Sequence, residues 1–123
     1  MTATVLICED EPIVALDLEM LVEGFGFQVM GPYASLRAAE AALAERTPDA
    51  AILDVRLTDG EVFPLADKLQ AQKVGLVFHS GHAYEAEVSK SYPGCRSCQK
   101  PVATDRLKQA LLSVTRDAVS DPC

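Results

Sequence analysis

Apolar and polar positions along this chain fall into two alternating textures, and the alternation repeats five times. Thr4 to Cys8 carries four consecutive apolar residues, as a buried strand requires. Pro12 suits the first turn of a helix. That helix runs through Ile13, Leu16, Met20 and Leu21 at helical spacing and stops near Gly24. Gln28 to Met30 reads as a second strand ending at Gly31-Pro32. Ser35 is placed to cap an Ala-rich helix from Leu36 to Glu45, which Thr47-Pro48 ends. Ala50 to Asp54 is a third strand, followed by a loop at Thr58-Asp59-Gly60. Val62 to Gln72 is a helix with Pro64 in its first turn and Leu65 and Leu69 on one face. Val74 to Ser80 is a fourth strand, closed by Gly81. Ala83 to Lys90 is short, polar and weakly helical, cut off by Tyr92-Pro93-Gly94, and is the element expected to be least ordered. Ser97 to Gln99 is a short fifth strand. Ala103 to Arg116 is a final helix with Leu107, Leu111 and Val114 inward, and the chain is expected to fray after Asp117.

Strand–helix units of this length imply an α/β fold, a parallel sheet with helices on both faces. The five-strand form is the flavodoxin-like (βα)5 sandwich with strand order 2-1-3-4-5, and in such sheets ligands bind in the crevice beyond the carboxyl ends of the strands. Glu9-Asp10 follow the first strand, Asp54 ends the third, Ser80 ends the fourth, and Lys100-Pro101 follow the fifth. Clustered carboxylates with one ammonium suit a divalent cation and a phosphoryl group.

A chain of 123 residues with no internal break is read as one domain, 1–123, with an ordered core of about 3–117. A net charge of -7 argues against nucleic acid as a partner, since phosphate backbones need clustered Lys and Arg. No apolar run reaches the length of a membrane span or a signal segment, so a soluble, cytoplasmic protein without a membrane partner is expected. Cys8, Cys95, Cys98 and Cys123 are too irregularly spaced for a disulfide framework. Cys95-x-x-Cys98 precedes a strand, where a redox pair would follow one, and a lone CxxC is not a zinc signature.

Four motifs in order, Val5-Leu6-Ile7-Cys8-Glu9-Asp10-Glu11-Pro12, Ala51-Ile52-Leu53-Asp54-Val55, Val77-Phe78-His79-Ser80-Gly81 and Lys100-Pro101, resemble the receiver domain of two-component response regulators. Each alone has a bland reading: a helix N-terminal charge cluster, a solvated loop acid, an ordinary turn, an exposed lysine. Their joint occurrence at successive strand ends does not. The resemblance implies that Asp54 is the phosphoacceptor, taking a phosphoryl group from a phosphohistidine on a sensor histidine kinase or phosphotransfer protein. It implies Mg²⁺ held by Asp10, Asp54 and the backbone carbonyl of Arg56, with Glu9 acting through water. Lys100 would pair with Asp54 and then with the phosphoryl group, aimed inward by a cis bond before Pro101. Ser80 would be the switch hydroxyl, and Gly81 would leave room for the phosphoryl group.

The chain departs from that pattern at Ser97, where most receivers carry Tyr or Phe three residues before the lysine. Phe78-His79-Ser80-Gly81-His82-Ala83-Tyr84 resembles instead the FAT GUY receivers, with His79 in place of a small residue and Ser80 in place of Thr. Tyr84 is then either the moving aromatic or a surface residue. Arg56 and His82 stand where receivers tune autodephosphorylation, and His82 is either active there or solvated. His79 reads as structural or half-buried.

The function implied is a phosphoacceptor that signals through contacts with a downstream protein, its only catalysis being its own phosphorylation and dephosphorylation. With nothing expected after the fifth helix, output would pass through the surface of the fourth helix, fifth strand and fifth helix. A phosphate sink or shuttle is the alternative. A third class, an aspartate-nucleophile phosphatase, needs an acid two residues after Asp54, where Arg56 stands.

Overall fold

The computed structural model describes residues 3–80, 96–99 and 103–117. In chain order the elements are β1 (Thr4–Cys8), α1 (Pro12–Gly24), β2 (Gln28–Tyr33), α2 (Leu36–Leu43), β3 (Ala50–Leu53), β4 (Arg56–Leu57), β5 (Gly60–Glu61), α3 (Phe63–Ala71), β6 (Gly75–Ser80), β7 (Arg96–Gln99) and α4 (Thr104–Asp117). Five strands form one parallel sheet in the order β2-β1-β3-β6-β7. Counted along these five strands, the order is the expected 2-1-3-4-5.

The continuous apolar runs follow from two-sided burial, which leaves no polar face to alternate with. Leu6, Cys8, Leu53, Leu76 and Phe78 pack with Leu65 and Leu69 of α3 and Ala39 of α2. Val5, Ile7, Ile52 and Val77 point the other way, onto Leu18 and Val22 of α1 and Leu107 and Leu111 of α4. Each such Leu, Ile or Val contributes about 1.5–3 kcal/mol by leaving water, so both layers anchor the sheet whose edge carries the acidic residues.

Local tethers fix the loops at that edge. Ser35 caps α2 as expected, its Oγ accepting from the amide of Ala38 at 3.1 Å. Asp59 adds a second cap from outside the helix: its carboxylate accepts from the amides of Leu36 at 2.7 Å and Arg37 at 3.1 Å. The Leu36 amide, and then the Arg37 amide, hold the Asp59 carboxyl below its ordinary range. The loop after β3 is thereby tied to the start of α2. An ion pair between Lys68 and Glu40 links α3 to α2 on the surface.

Several expectations are corrected. The second strand does not stop at Gly31-Pro32 but runs on to Tyr33, with its register against β1 shifted between Leu6 and Cys8. Gly31 makes this possible: its φ is +108°, and a Cβ there would lie 2.9 Å from the carbonyl oxygen of Ile7. The loop after Asp54 contains an antiparallel pair, β4 with β5. Of the residues at helical spacing on α1, Ile13, Leu16 and Met20 are 84%, 57% and 64% exposed and Leu21 packs against the core, while the buried residues are Ala15, Leu18 and Val22. The weakly helical stretch expected at 83–90 lies outside the described residues.

Candidate functional site

The parallel register sets the site. Cys8 is level with Leu53, and Leu53 with Phe78. The next residue on each strand therefore falls in a row across the carboxyl edge: Glu9, Asp54 and His79. Backbone bonds hold two of the three in place. The Asp54 amide donates to the Cys8 carbonyl at 2.9 Å, and the Glu9 amide donates to the Tyr33 carbonyl at 2.9 Å.

Each acidic side chain is oriented by an amide two residues on. The Arg56 N–H donates to Asp54 Oδ1 at 3.3 Å, and the Glu11 N–H donates to Glu9 Oε2 at 3.2 Å. Glu9 is 1% exposed and Asp54 7%. One carboxylate oxygen from each of Glu9, Asp10 and Asp54 can be chosen so that all lie within 4.8 Å of one another. Three like charges this close repel, and burial of two of them weakens solvent screening. A small divalent cation that prefers hard oxygen ligands fits this donor set.

The same charge reaches the thiol beneath. Burial first, and the Asp54 carboxylate second, push Cys8 up to about 12. Cys8 is a neutral core residue.

Glu9, Asp10 and Asp54, expected at one sheet edge, are gathered there in the structure. The Arg56 backbone opens β4 directly beside Asp54. Ser80 closes β6 at the same edge, and its backbone pairs with Gln99. Gly81, His82, Tyr84, Cys95, Lys100 and Pro101 lie outside the described residues.

His79, expected to be structural or half-buried, is buried. It is 2% exposed, on the sheet face of Val77, and its Nδ1 lies 3.7 Å from Oε1 of Glu9. The available signal was parity. Two residues past Val77 is the α1/α4 face, where Glu9 also falls, two past Ile7.

No family model matches the chain. Over 81 residues, 63% of its length, it is 36% identical to the Phyllosphere-induced regulator PhyR of Methylorubrum extorquens, and it spans 30% of the length of that curated relative. Among solved structures it resembles SdrG from Sphingomonas melonis Fr1, at 31% identity and a TM-score of 0.79, covering 92% of this chain and 96% of SdrG. It also resembles a CheY-like response regulator receiver domain from Methylobacillus flagellatus, at 25% identity and a TM-score of 0.81, covering 93% and 99% of the two chains.

Proposed function

The chain belongs to the CheY-like response regulator receivers of two-component signalling, and from that premise we propose that Asp54 accepts a phosphoryl group from a phosphohistidine on a histidine kinase or phosphotransfer protein. The observation that carries this reading is the placement of Asp54 within 4.8 Å of the Glu9 and Asp10 carboxylates at the carboxyl edge of the sheet. In this reading residues 3–117 form one receiver unit.

The chemistry follows from the geometry. An Asp54 carboxylate oxygen attacks phosphorus, a P–O bond forms, the P–N bond of the donor breaks, and the donor imidazole departs. The Arg56 amide, donating to Oδ1 at 3.3 Å, restrains the rotation of the carboxylate. Asp10, Asp54 and the Arg56 carbonyl would hold Mg²⁺, with Glu9 acting through water; when bound, the ion neutralises charge on the transferring group. Lys100 would pair with a phosphoryl oxygen, Ser80 would donate to another, and Gly81 would give clearance. Pro101 would aim Lys100, His82 and Arg56 would govern loss of the phosphoryl group, and Tyr84 would report the state of the site in place of an aromatic at Ser97. Phosphorylation would then shift the population of a surface read by a downstream protein.

The test is transfer of labelled phosphoryl groups from a panel of phosphorylated histidine kinases to the wild type and to Asp54→Asn. Label should appear on the wild type alone. Equal labelling of Asp54→Asn would refute Asp54 as acceptor.

A further inference from the structure

The loop after β3 carries part of the acceptor site at its root and an anchor at its tip. At the root, the Arg56 amide donates to Asp54 Oδ1 at 3.3 Å. At the tip, Thr58 and Asp59 form the turn between the paired residues Leu57 and Gly60 of the β4–β5 hairpin. Four bonds fasten that tip to the corner where β2 meets α2. The Asp59 carboxylate accepts from the amides of Leu36 at 2.7 Å and Arg37 at 3.1 Å. The amide and the hydroxyl of Thr58 donate to the Ala34 carbonyl at 3.0 Å and 3.1 Å. Strands as short as β4 and β5 do not hold a hairpin in place by themselves, so these bonds help to set where it lies. The helix has less need of them. Ser35 already caps α2, its Oγ accepting from the amide of Ala38. The tether from Asp59, 23 residues along the chain from Leu36, therefore acts chiefly on the loop.

We propose that Asp59 is a positioning residue for the acceptor site: docked on the first amides of α2, its carboxylate holds the hairpin so that the Arg56 backbone serves Asp54 and the cation. The inference rests on the reading of the pocket as a Mg²⁺-assisted acceptor and deepens it. Arg56 offers that site two backbone groups, the amide that restrains the Asp54 carboxylate and the carbonyl proposed as a cation ligand. A backbone donor or ligand is only as well placed as the loop that carries it, and groups held in advance cost no reordering when the ion or the phosphoryl group arrives. Release of the tip would loosen both Arg56 groups together. Asp59 itself touches neither the ion nor the phosphoryl group; it acts through Arg56.

The experiment compares the wild type with Asp59→Ala, Asp59→Asn and Ser35→Ala. Mg²⁺ affinity is read by calorimetric titration, and phosphorylation by acetyl phosphate is followed by mass spectrometry at saturating Mg²⁺. Asp59→Ala should lose about tenfold in Mg²⁺ affinity, the lower end of what loss of a supporting partner costs a metal site, and should be phosphorylated more slowly. Asp59→Asn keeps an oxygen that can accept from the Leu36 and Arg37 amides, so it should retain most of the affinity and rate. Ser35→Ala removes the helix's own cap without touching the hairpin; it should melt lower and keep both. Wild-type affinity and rate in Asp59→Ala overturn the inference and leave Asp54 standing as acceptor. So does an equal loss in Ser35→Ala, which would trace the effect to α2. A wild type that neither binds Mg²⁺ nor gains a phosphoryl group overturns the reading of the pocket, and the inference with it. Should Asp59→Ala fail to fold, Thr58→Val decides: a smaller loss of Mg²⁺ affinity supports the inference, and unchanged affinity overturns it.

Discussion

A Cβ placed on Gly75 would lie 2.7 Å from the Cβ of Val114 and 2.8 Å from the Val114 carbonyl oxygen. The start of β6 and the last turns of α4 therefore touch backbone to backbone, and this contact seats α4 on the sheet. The backbone oxygen cannot move aside as a flexible side chain could. Gly75→Ala should cost about 1–3 kcal/mol, the usual range for overpacking a filled core. Urea denaturation checks this. Val114→Ala in the same chain should restore only part of the loss, because the Val114 Cβ and carbonyl positions both remain occupied; full recovery would mean the Cγ methyl groups alone set the contact.

Burial and the Asp54 charge raise the Cys8 thiol from an ordinary 9.0 to about 12. In the unfolded chain that thiol ionises near 9.0; in the folded chain it stays neutral until about 12. Its contribution to stability is thus complete below the first value and lost as pH rises through the second. Stability measured by denaturant should fall across that window, with a shallower slope in Cys8→Ala. At pH 8, peptide mapping after iodoacetamide treatment should show Cys8 unlabelled in the native protein and labelled in urea. Rapid native labelling would contradict the buried position.

The legible part of this fold was the part governed by two-sided burial. Val5-Leu6-Ile7-Cys8 and Ala50-Ala51-Ile52-Leu53 tolerate no polar residue, because each face meets a helix layer. The first polar residues after them, Glu9 and Asp54, therefore mark the strand ends, and the sheet order brings them together. Illegible features depended on contacts from elsewhere. Gly31-Pro32 looks like a terminator, but the carbonyl of Ile7 approaches so closely that glycine serves inside the strand. The stripe of Ile13, Leu16 and Met20 has the spacing of a buried face, and so does Ala15, Leu18 and Val22. Spacing alone cannot say which of two apolar stripes meets the sheet. The hairpin of β4 and β5 has too few residues to show a period. His79 required knowing that β6 and β1 flank β3, which places its ring within reach of Glu9.

Glu9, Asp10 and Asp54 repel one another in the ion-free protein, and cation binding should relieve that strain. Millimolar Mg²⁺ should raise the melting temperature, equivalent to about 2.7 kcal/mol where the ion is at a hundred times its Kd. Asp10→Ala and Asp54→Ala should each shrink the rise. Each should also melt higher than wild type in EDTA, because one of three crowded charges is gone. A wild-type melting temperature that ignores Mg²⁺ would remove the cation from the proposed chemistry.

The outward stripe of α1 supplies the last prediction. Among the described residues, Ile13, Leu16 and Met20 are large hydrophobics left exposed, and contiguous exposed apolar surface commonly marks a contact site. The helix begins at Pro12, two residues after Asp10, so the stripe starts beside the acidic pocket and runs away from it. In the proposed transfer, a donor reaching Asp54 would come down over that rim and meet the stripe. Leu16→Glu removes apolar area without disturbing Leu18 or Val22, the residues that hold α1 to the sheet. Its effect on stability should stay within about 0.5 kcal/mol, as for surface substitutions generally. Transfer from a phosphorylated kinase should slow about tenfold, equivalent to about 1.4 kcal/mol. Phosphorylation by a small donor such as acetyl phosphate, which needs no docking surface, should keep its wild-type rate. Equal slowing with both donors would place the defect at Asp54 itself, and no slowing with either would leave the exposed stripe without a part in phosphoryl transfer.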